Sequence, residues 1–75
     1  MKVSQAREYM QLGVLTGFHA VRDPDGWLLV VEGQGGRSWT LQTALGKDKL
    51  YSTLDSLDAE VLRISGAGLS WSLKL

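Results

Sequence analysis

The stretch that decides the fold is residues 21–39, VRDPDGWLLVVEGQGGRSW, in which two turn-like sequences enclose an apolar run. The DPDG sequence at residues 23–26 suits a β-turn position by position, because Pro fixes φ at the second place and Asp and Gly tolerate the conformations around it. The flanking segments, GFHAVR and WLLVVEG, are rich in β-branched and aromatic residues. This pattern predicts a β-hairpin.

A third strand is predicted after the hairpin. The run WLLVV at residues 27–31 does not alternate, which is typical of a central strand covered on both faces. In RSWTLQTA, residues 37–44, apolar Trp39 and Leu41 alternate with polar neighbours, which predicts a strand with one buried and one solvated face. The GQGG sequence at residues 33–36 then serves as a flexible connection, and the three strands form an antiparallel meander.

Two helices are predicted, one before and one after these strands. Residues 4–12, SQAREYMQL, have Ser4 as N-cap and Gly13 as a stop, and their apolar face consists of Ala6, Tyr9 and Met10. Residues 53–64 follow the polar turn GKDK, and their capping box runs from Ser52 to Asp55. The apolar stripe of this second helix consists of Leu54, Leu57, Val61 and Ile64.

The tail LSWSLKL, residues 69–75, alternates apolar and polar residues and predicts a fourth strand. This strand has two alternatives: it completes the sheet of its own chain, or it pairs with a neighbouring chain and makes a dimer. The candidate protein interface therefore consists of Leu69, Trp71 and Leu73. The whole predicts one α+β domain over residues 1–75. It has a three- to four-stranded antiparallel meander, helix 53–64 packed on one face and the short N-terminal helix beside it.

Composition narrows the class of protein. The chain has 75 residues, no cysteine, and eight acidic against eight basic residues, so its formal net charge is zero. A small core without disulfides or thiolate-zinc sites favours well-packed aromatics or self-association as the source of stability. The neutral charge argues mildly against a dedicated nucleic-acid binder. Without a membrane-length apolar run or a secretory signal at the N-terminus, we expect a cytoplasmic location and no membrane partner.

No ligand chemistry is predicted from the motifs. The glycines at residues 33–36 precede a strand, whereas a phosphate loop precedes a helix. Asp23 and Asp25 lack the further oxygen ligands of a calcium loop, and the single histidine, His19, has no accompanying zinc ligands or nucleophile signature. We therefore expect no metal, no cofactor, no small-molecule substrate and no enzymatic activity.

Tryptophans and basic residues leave two alternatives each. The three tryptophans, Trp27, Trp39 and Trp71, are either core residues or exposed anchors for bases or a protein partner. The candidate nucleic-acid contacts are the basic residues on strands and turns: Arg22, Arg37, Lys47 and Lys49. Helix 53–64 is acidic, because it contains Asp55, Asp58 and Glu60. This distribution predicts a basic sheet side opposite an acidic helix side. The alternative is an ordinary solvated mixture of charges.

One resemblance covers residues 17–65. The segments GFHAVRD, GWLLVVEG, RSWTLQTALGK and LYSTLDSLDAEVLRI give the order strand, strand, strand, helix, which resembles in outline the arm-type DNA-binding domain of tyrosine recombinases. An aromatic-Thr-acidic-Ala pattern opens the helix in that family, and the corresponding residues here are Tyr51, Thr53, Asp55 and Asp58-Ala59. Since DNA contacts in that family come from basic residues on the sheet, the resemblance implies Arg22 and Arg37 as contacts.

A second resemblance covers the chain up to Gly66. A short Gln-Ala-Arg helix, a DGW hairpin and LQTALGK before a Leu-Asp helix resemble the small partition-associated accessory proteins of proteobacterial plasmids, of the ParC-like kind. This resemblance implies a role in plasmid maintenance, through protein partners or DNA. We expect, as the primary hypothesis, a small non-enzymatic interaction module that binds a protein partner or itself, homodimers included. The alternative is a DNA-binding accessory module that uses the basic side of the sheet.

Overall fold

The computed structural model of the chain describes residues 1–66 in full and the backbone of residues 72–74. It shows an α+β fold in which a sheet of strand order β3-β2-β1-β5, with β4 also paired to β2, carries both helices on one face. The elements in chain order are α1 (Val3–Gln11), β1 (Leu15–Asp23), β2 (Gly26–Gly33), β3 (Ser38–Thr40), β4 (Leu50–Tyr51), α2 (Leu54–Ser65) and β5 (Ser72–Lys74). The predicted fold class is confirmed.

The β1–β2 hairpin forms at the DPDG turn, as predicted. The Oδ1 atom of Asp23 accepts a hydrogen bond from the Asp25 amide at 3.0 Å, which closes the turn locally. Gly26 has φ +152°, and a Cβ atom there would lie 2.6 Å from the carbonyl oxygen of Tyr51. The turn therefore needs glycine both for its backbone conformation and for the close approach of β4.

The apolar run in β2 has one buried face, so the prediction that both faces are covered is wrong. Trp27, Leu29 and Val31 are buried, whereas Leu28 and Val30 are only half-buried. The helices lie on the first face only, which explains the difference. An unbroken apolar run therefore does not by itself show that both faces of a strand are covered.

The GQGG segment is a hydrogen-bonded turn. Gly33 donates its amide to the carbonyl of Arg37, Gln34 bonds to the backbone of residues 13 and 14, and Gly35 and Gly36 have positive φ within the turn. The ring of Trp39 lies where a Cβ atom of Gly33 would be, 2.8 Å away. The following strand, β3, covers only residues 38–40 of the predicted 37–44.

A two-residue strand, β4, lies where the sequence predicts only a lead into the second helix. After Leu41, whose amide bonds to the Leu29 carbonyl, the chain leaves β2 as a loop of residues 42–49. It returns at Leu50 and Tyr51, which pair with Leu28 and Trp27. The edge of β2 is thus shared by two short strands with a loop between them.

The N-caps of the two helices lie one or two residues away from their predicted positions. Thr53, not Ser52, is the N-cap of α2, and its side chain accepts the Ser56 amide at 3.1 Å. In α1 the N-cap is Lys2 in place of Ser4, and Lys2 donates its amide to the Gln5 side chain at 3.0 Å. The predicted faces are confirmed: Ala6 of α1 and the stripe Leu57, Val61 and Ile64 of α2 are buried, and Leu54 and Met10 pack against the core.

The end of the chain contributes a strand to its own sheet. Within the described residues, β5 runs parallel to β1, with Ser72, Leu73 and Lys74 opposite His19, Ala20 and Val21. Of the predicted interface residues, Leu69 and Trp71 lie outside the described residues, and for Leu73 the backbone alone is described. The intramolecular alternative is therefore the one that the structure contains over residues 72–74.

Candidate functional site

Two of the four basic residues predicted to contact DNA are engaged within the fold. The guanidinium of Arg22 stacks over the ring of Trp27, with its carbon 5.1 Å from the ring centroid. The ammonium of Lys49 lies 2.6 Å from a carboxylate oxygen of Glu60, so its charge is neutralised by an internal partner. An ammonium that is already bonded to a carboxylate gains less from a phosphate than a free one does.

Arg37 and Lys47 are exposed, but they lie apart from Arg22. Arg37 follows the GQGG turn beside Gly33, at the other end of β2 from Trp27, and Lys47 lies in the 42–49 loop. The six residue steps from Trp27 to Gly33 correspond to about 20 Å along a strand. The structure therefore does not bring the four predicted contacts together on one surface.

Glu60 of α2 is a buried carboxylate, although the sequence predicts it on the acidic, solvated side of the helix. Glu60 is 1% exposed, and three side chains donate hydrogen bonds to it. Lys49 and the hydroxyl of Tyr51 both reach Oε1, at 2.6 and 2.9 Å, and Arg63 reaches Oε2 at 3.1 Å. We call Lys49, Tyr51, Glu60 and Arg63 the Glu60 cluster. It connects β4 and the 42–49 loop to α2.

The Glu60 cluster shifts the titration of its members. Burial by itself raises the pKa of Glu60. The hydrogen bonds from Lys49 and Tyr51 and the charges of Lys49 and Arg63 outweigh it, and the pKa lies below its usual range. Burial and the bond to Glu60 raise the pKa of the Tyr51 hydroxyl. An ionised carboxylate and a neutral phenol are thus both favoured, which suits a fixed structural contact.

The prediction of an acidic helix side is wrong for Glu60 and holds for the other two acids. Asp55 and Asp58 are exposed. A signal for Glu60 was present in the sequence, because it lies three residues after Leu57 and four before Ile64, on the apolar stripe. A charged residue at such a position is expected to be buried with partners. The burial of Glu60 was therefore predictable, although it was not predicted above.

Two of the three tryptophans pack in or against the core. Trp27 is buried, and Trp39 is half-buried against the core, with its ring edge-to-face against Tyr9 of α1 at a centroid distance of 5.8 Å. Trp71 lies outside the described residues. The core alternative is therefore confirmed for Trp27, whereas Trp39 lies at the border of the core.

The face of the sheet opposite the helices carries apolar side chains that the helices do not cover. The strand register places four apolar side chains side by side on it, and we call them the outer face: Val21, Leu28, Val30 and Leu50. None of them belongs to the core or packs against it. The first three are half-buried by their neighbours in the sheet, and Leu50 is 47% exposed.

An ionisable pair lies at one end of the outer face. His19 is opposite Val30 in the strand register, and Glu32 is two residues further along β2. The Nε2 atom of His19 contacts the Oε1 atom of Glu32. One basic and one acidic side chain therefore neighbour the apolar patch, with the turn residue Asp23 at its other end.

Two open clefts lie elsewhere on the described surface. The larger, about 360 Å³, lies between the start of α1 and the 42–49 loop, and its lining includes Lys2, Ser4, Thr43 and Lys49. The smaller, about 290 Å³, lies between the two helices beside Arg7 and Arg63. Neither of these two clefts is lined by an outer-face residue.

Among the described residues, no three histidine, cysteine or carboxylate side chains come together as a metal site, and neither helix has the length and apolarity to cross a membrane. Comparison with the models of known protein families, with curated proteins and with solved structures finds no match to this chain.

Proposed function

We propose that the protein is a small non-enzymatic interaction module that binds a protein partner through the outer face of its sheet. One observation carries the proposal. Strand β2 buries Leu29 and Val31 under the helices, yet it leaves Leu28 and Val30 only half-buried on the opposite side. An exposed contiguous apolar patch is typical of a surface that another molecule covers.

The arrangement of the fold supports the same proposal. A solvated antiparallel sheet face is normally polar, and alternation of apolar and polar residues would satisfy β2 under one layer of helices. Instead, Val21, Leu28, Val30 and Leu50 are all apolar on the side away from the helices. Such residues add little to the stability of the isolated chain, because they gain only part of the transfer free energy of burial. A partner that covers these four side chains would remove them from water and add the rest of this transfer free energy.

DNA binding is the alternative function, and the outer face does not favour it. Lys49 is bonded to Glu60, and Arg22 and Arg37 lie at opposite ends of β2. Phosphate contacts that lie along one groove require basic side chains on a common surface. A role in plasmid maintenance, implied by the resemblance to partition-associated proteins, remains a prediction that is compatible with either kind of partner.

A capture experiment with matched variants tests the proposal. Tagged wild type, Val30→Lys and the control Leu62→Lys are incubated with nuclease-treated lysate of cells that make the protein. Leu62 is a 52% exposed leucine on α2, away from the outer face. We expect proteins that wild type and Leu62→Lys retain and Val30→Lys loses, because a lysine in an apolar contact buries an unpaired charge.

Two results would contradict the proposal. If Val30→Lys retains the same proteins as wild type, the outer face is not the binding surface. If proteins are captured only from a parallel lysate without nuclease treatment, and salt weakens that capture steeply, the DNA alternative takes its place.

A further inference from the structure

We infer that the occupant of the outer face is a second copy of this chain, packed sheet against sheet about a two-fold axis. The inference rests on the proposed function and names its partner. In this arrangement Val21, Leu28, Val30 and Leu50 of one copy interdigitate with the same residues of the other. The helices then lie on the two outsides of a four-layered dimer.

The shape of the surface favours another sheet over a peptide or a helix. An extended peptide adds a strand at a sheet edge, and an amphipathic helix lies in a groove. The outer face is the broad side of a sheet, and both described clefts lie away from it. A twisted sheet with an apolar face packs on a similar sheet at about 10 Å. The second copy supplies such a sheet with the same apolar residues.

The area fits a weak dimer. The nine residues of β1 span about 30 Å, and a sheet four strands wide measures about 15 Å between its outer strand axes. Because β3 and β5 have three residues each, the flat area is at most about 450 Å² per copy, or about 900 Å² for the pair, which is below the range of stable interfaces and within that of weak, transient ones. The contact is therefore expected to be reversible and to depend on protein concentration.

The charges allow two copies to meet. The chain has a formal net charge of zero, so no long-range repulsion opposes association. On the sheet side itself, the carboxylate of Glu32 has an internal partner in His19. A two-fold axis brings identical surfaces together, and the four residues of the outer face carry no charge, so no like charges meet at the centre of the contact.

Sedimentation velocity and amide NMR over a concentration series test the inference. Between about 20 µM and about 1 mM we expect a rising average mass and amide shifts centred on Val21, Leu28 and Val30. Val30→Lys should weaken association at least about tenfold, and Leu62→Lys should leave it unchanged. Amide dispersion and the thermal midpoint of each variant show whether it is folded.

A mixing experiment gives a second measurement that does not depend on loss of binding. Leu28 lies at the centre of the face, between Val21 on β1 and Leu50 on β4, so a two-fold axis through the patch brings it close to its equivalent in the partner. An equimolar mixture of Leu28→Lys and Leu28→Glu should associate more strongly than either variant alone. If the mixture associates no more strongly than either variant alone, the two-fold arrangement is wrong.

Different results would overturn this inference and the proposed function. A wild type that remains monomeric to about 1 mM, or shifts confined to β5 and the adjoining edge of β1, would overturn the second copy as occupant. If Val30→Lys still loses proteins from the capture experiment in that case, the interaction module stands and only its partner changes.

Discussion

Replacing Lys49 by methionine removes one charge from the Glu60 cluster and keeps most of the length and apolar stem of the side chain. Glu60 then remains a carboxylate that is 1% exposed, bonded to the Tyr51 hydroxyl and to Arg63. The side chain of Arg63 is 67% exposed, so solvent screens its contribution. We expect the free energy of unfolding to fall because a buried charge loses its shortest contact.

The magnitude follows from the geometry. A hydrogen bond to a charged group contributes about 1.5–3 kcal/mol, and removing one partner of a fully buried pair costs about 3–5 kcal/mol. The side chain of Lys49 is 34% exposed, which places this pair between a surface and a buried one. We therefore expect Lys49→Met to lower the free energy of unfolding by about 2 kcal/mol.

A double-mutant cycle separates the pair from its surroundings. Urea unfolding at neutral pH, followed by tryptophan fluorescence, gives the free energy for wild type, Lys49→Met, Glu60→Leu and the double variant. The double variant buries no unpaired carboxylate, so it should be more stable than the sum of the single changes predicts, by about 1–2 kcal/mol. Lys47→Met, at an exposed lysine of the same loop, is the control and should stay within about 0.5 kcal/mol of wild type.

The reasoning would be refuted by either of two results. If Lys49→Met costs no more than Lys47→Met, the buried carboxylate does not depend on its shortest contact. If the effects of the two single changes simply add, Lys49 and Glu60 stabilise the fold independently, and the cluster does not tie the 42–49 loop to α2.

Three further predictions concern acid, the hairpin turn and a helix cap. The folded-state pKa of the buried Glu60 carboxylate lies below the unfolded value of about 4.3, so its contribution is present above that pH and is lost as pH falls through the folded pKa; urea midpoints of wild type and Lys49→Met should therefore converge as pH falls below about 4.3, and a constant gap would contradict this. Gly26→Ala should lower stability by about 3 kcal/mol, measured as a fall in the thermal midpoint, because the new Cβ meets the Tyr51 carbonyl in a strained backbone. Thr53→Ala should cost about 1 kcal/mol in urea and Ser52→Ala less than about 0.5, and the reverse order would restore the cap predicted from the sequence.

Local chemistry was predictable from the sequence, and this is why the β1–β2 hairpin and the α2 stripe are confirmed. The DPDG turn is specified by four consecutive residues, and the stripe of α2 by a regular period. The cap of α2 is one residue from its predicted place because Ser52 and Thr53 are chemically similar and adjacent, so either can accept an amide of the first turn.

Contacts between distant segments were not predictable in the same way. Strand β4 has two residues, and its position depends on Tyr51 meeting Gly26 and Trp27 across the sheet. No local pattern identifies such a strand. The Glu60 cluster likewise needs Lys49 from the loop and Tyr51 from β4, so its partners become evident only when the chain is folded. The uncovered outer face was not predicted, because an unbroken apolar run indicates a strand that is buried on both faces.

The division of one sheet edge between β3 and β4 bears on the tendency of this protein to form fibres. A long regular edge invites strands from other molecules to add without limit, whereas short strands interrupted by a loop offer a poor template. Here the 42–49 loop separates three paired residues from two. Growth along that edge is therefore obstructed, and a face-to-face pair of sheets uses up its apolar surfaces after two copies. An apolar sheet of this kind is thus compatible with a finite assembly that remains in solution.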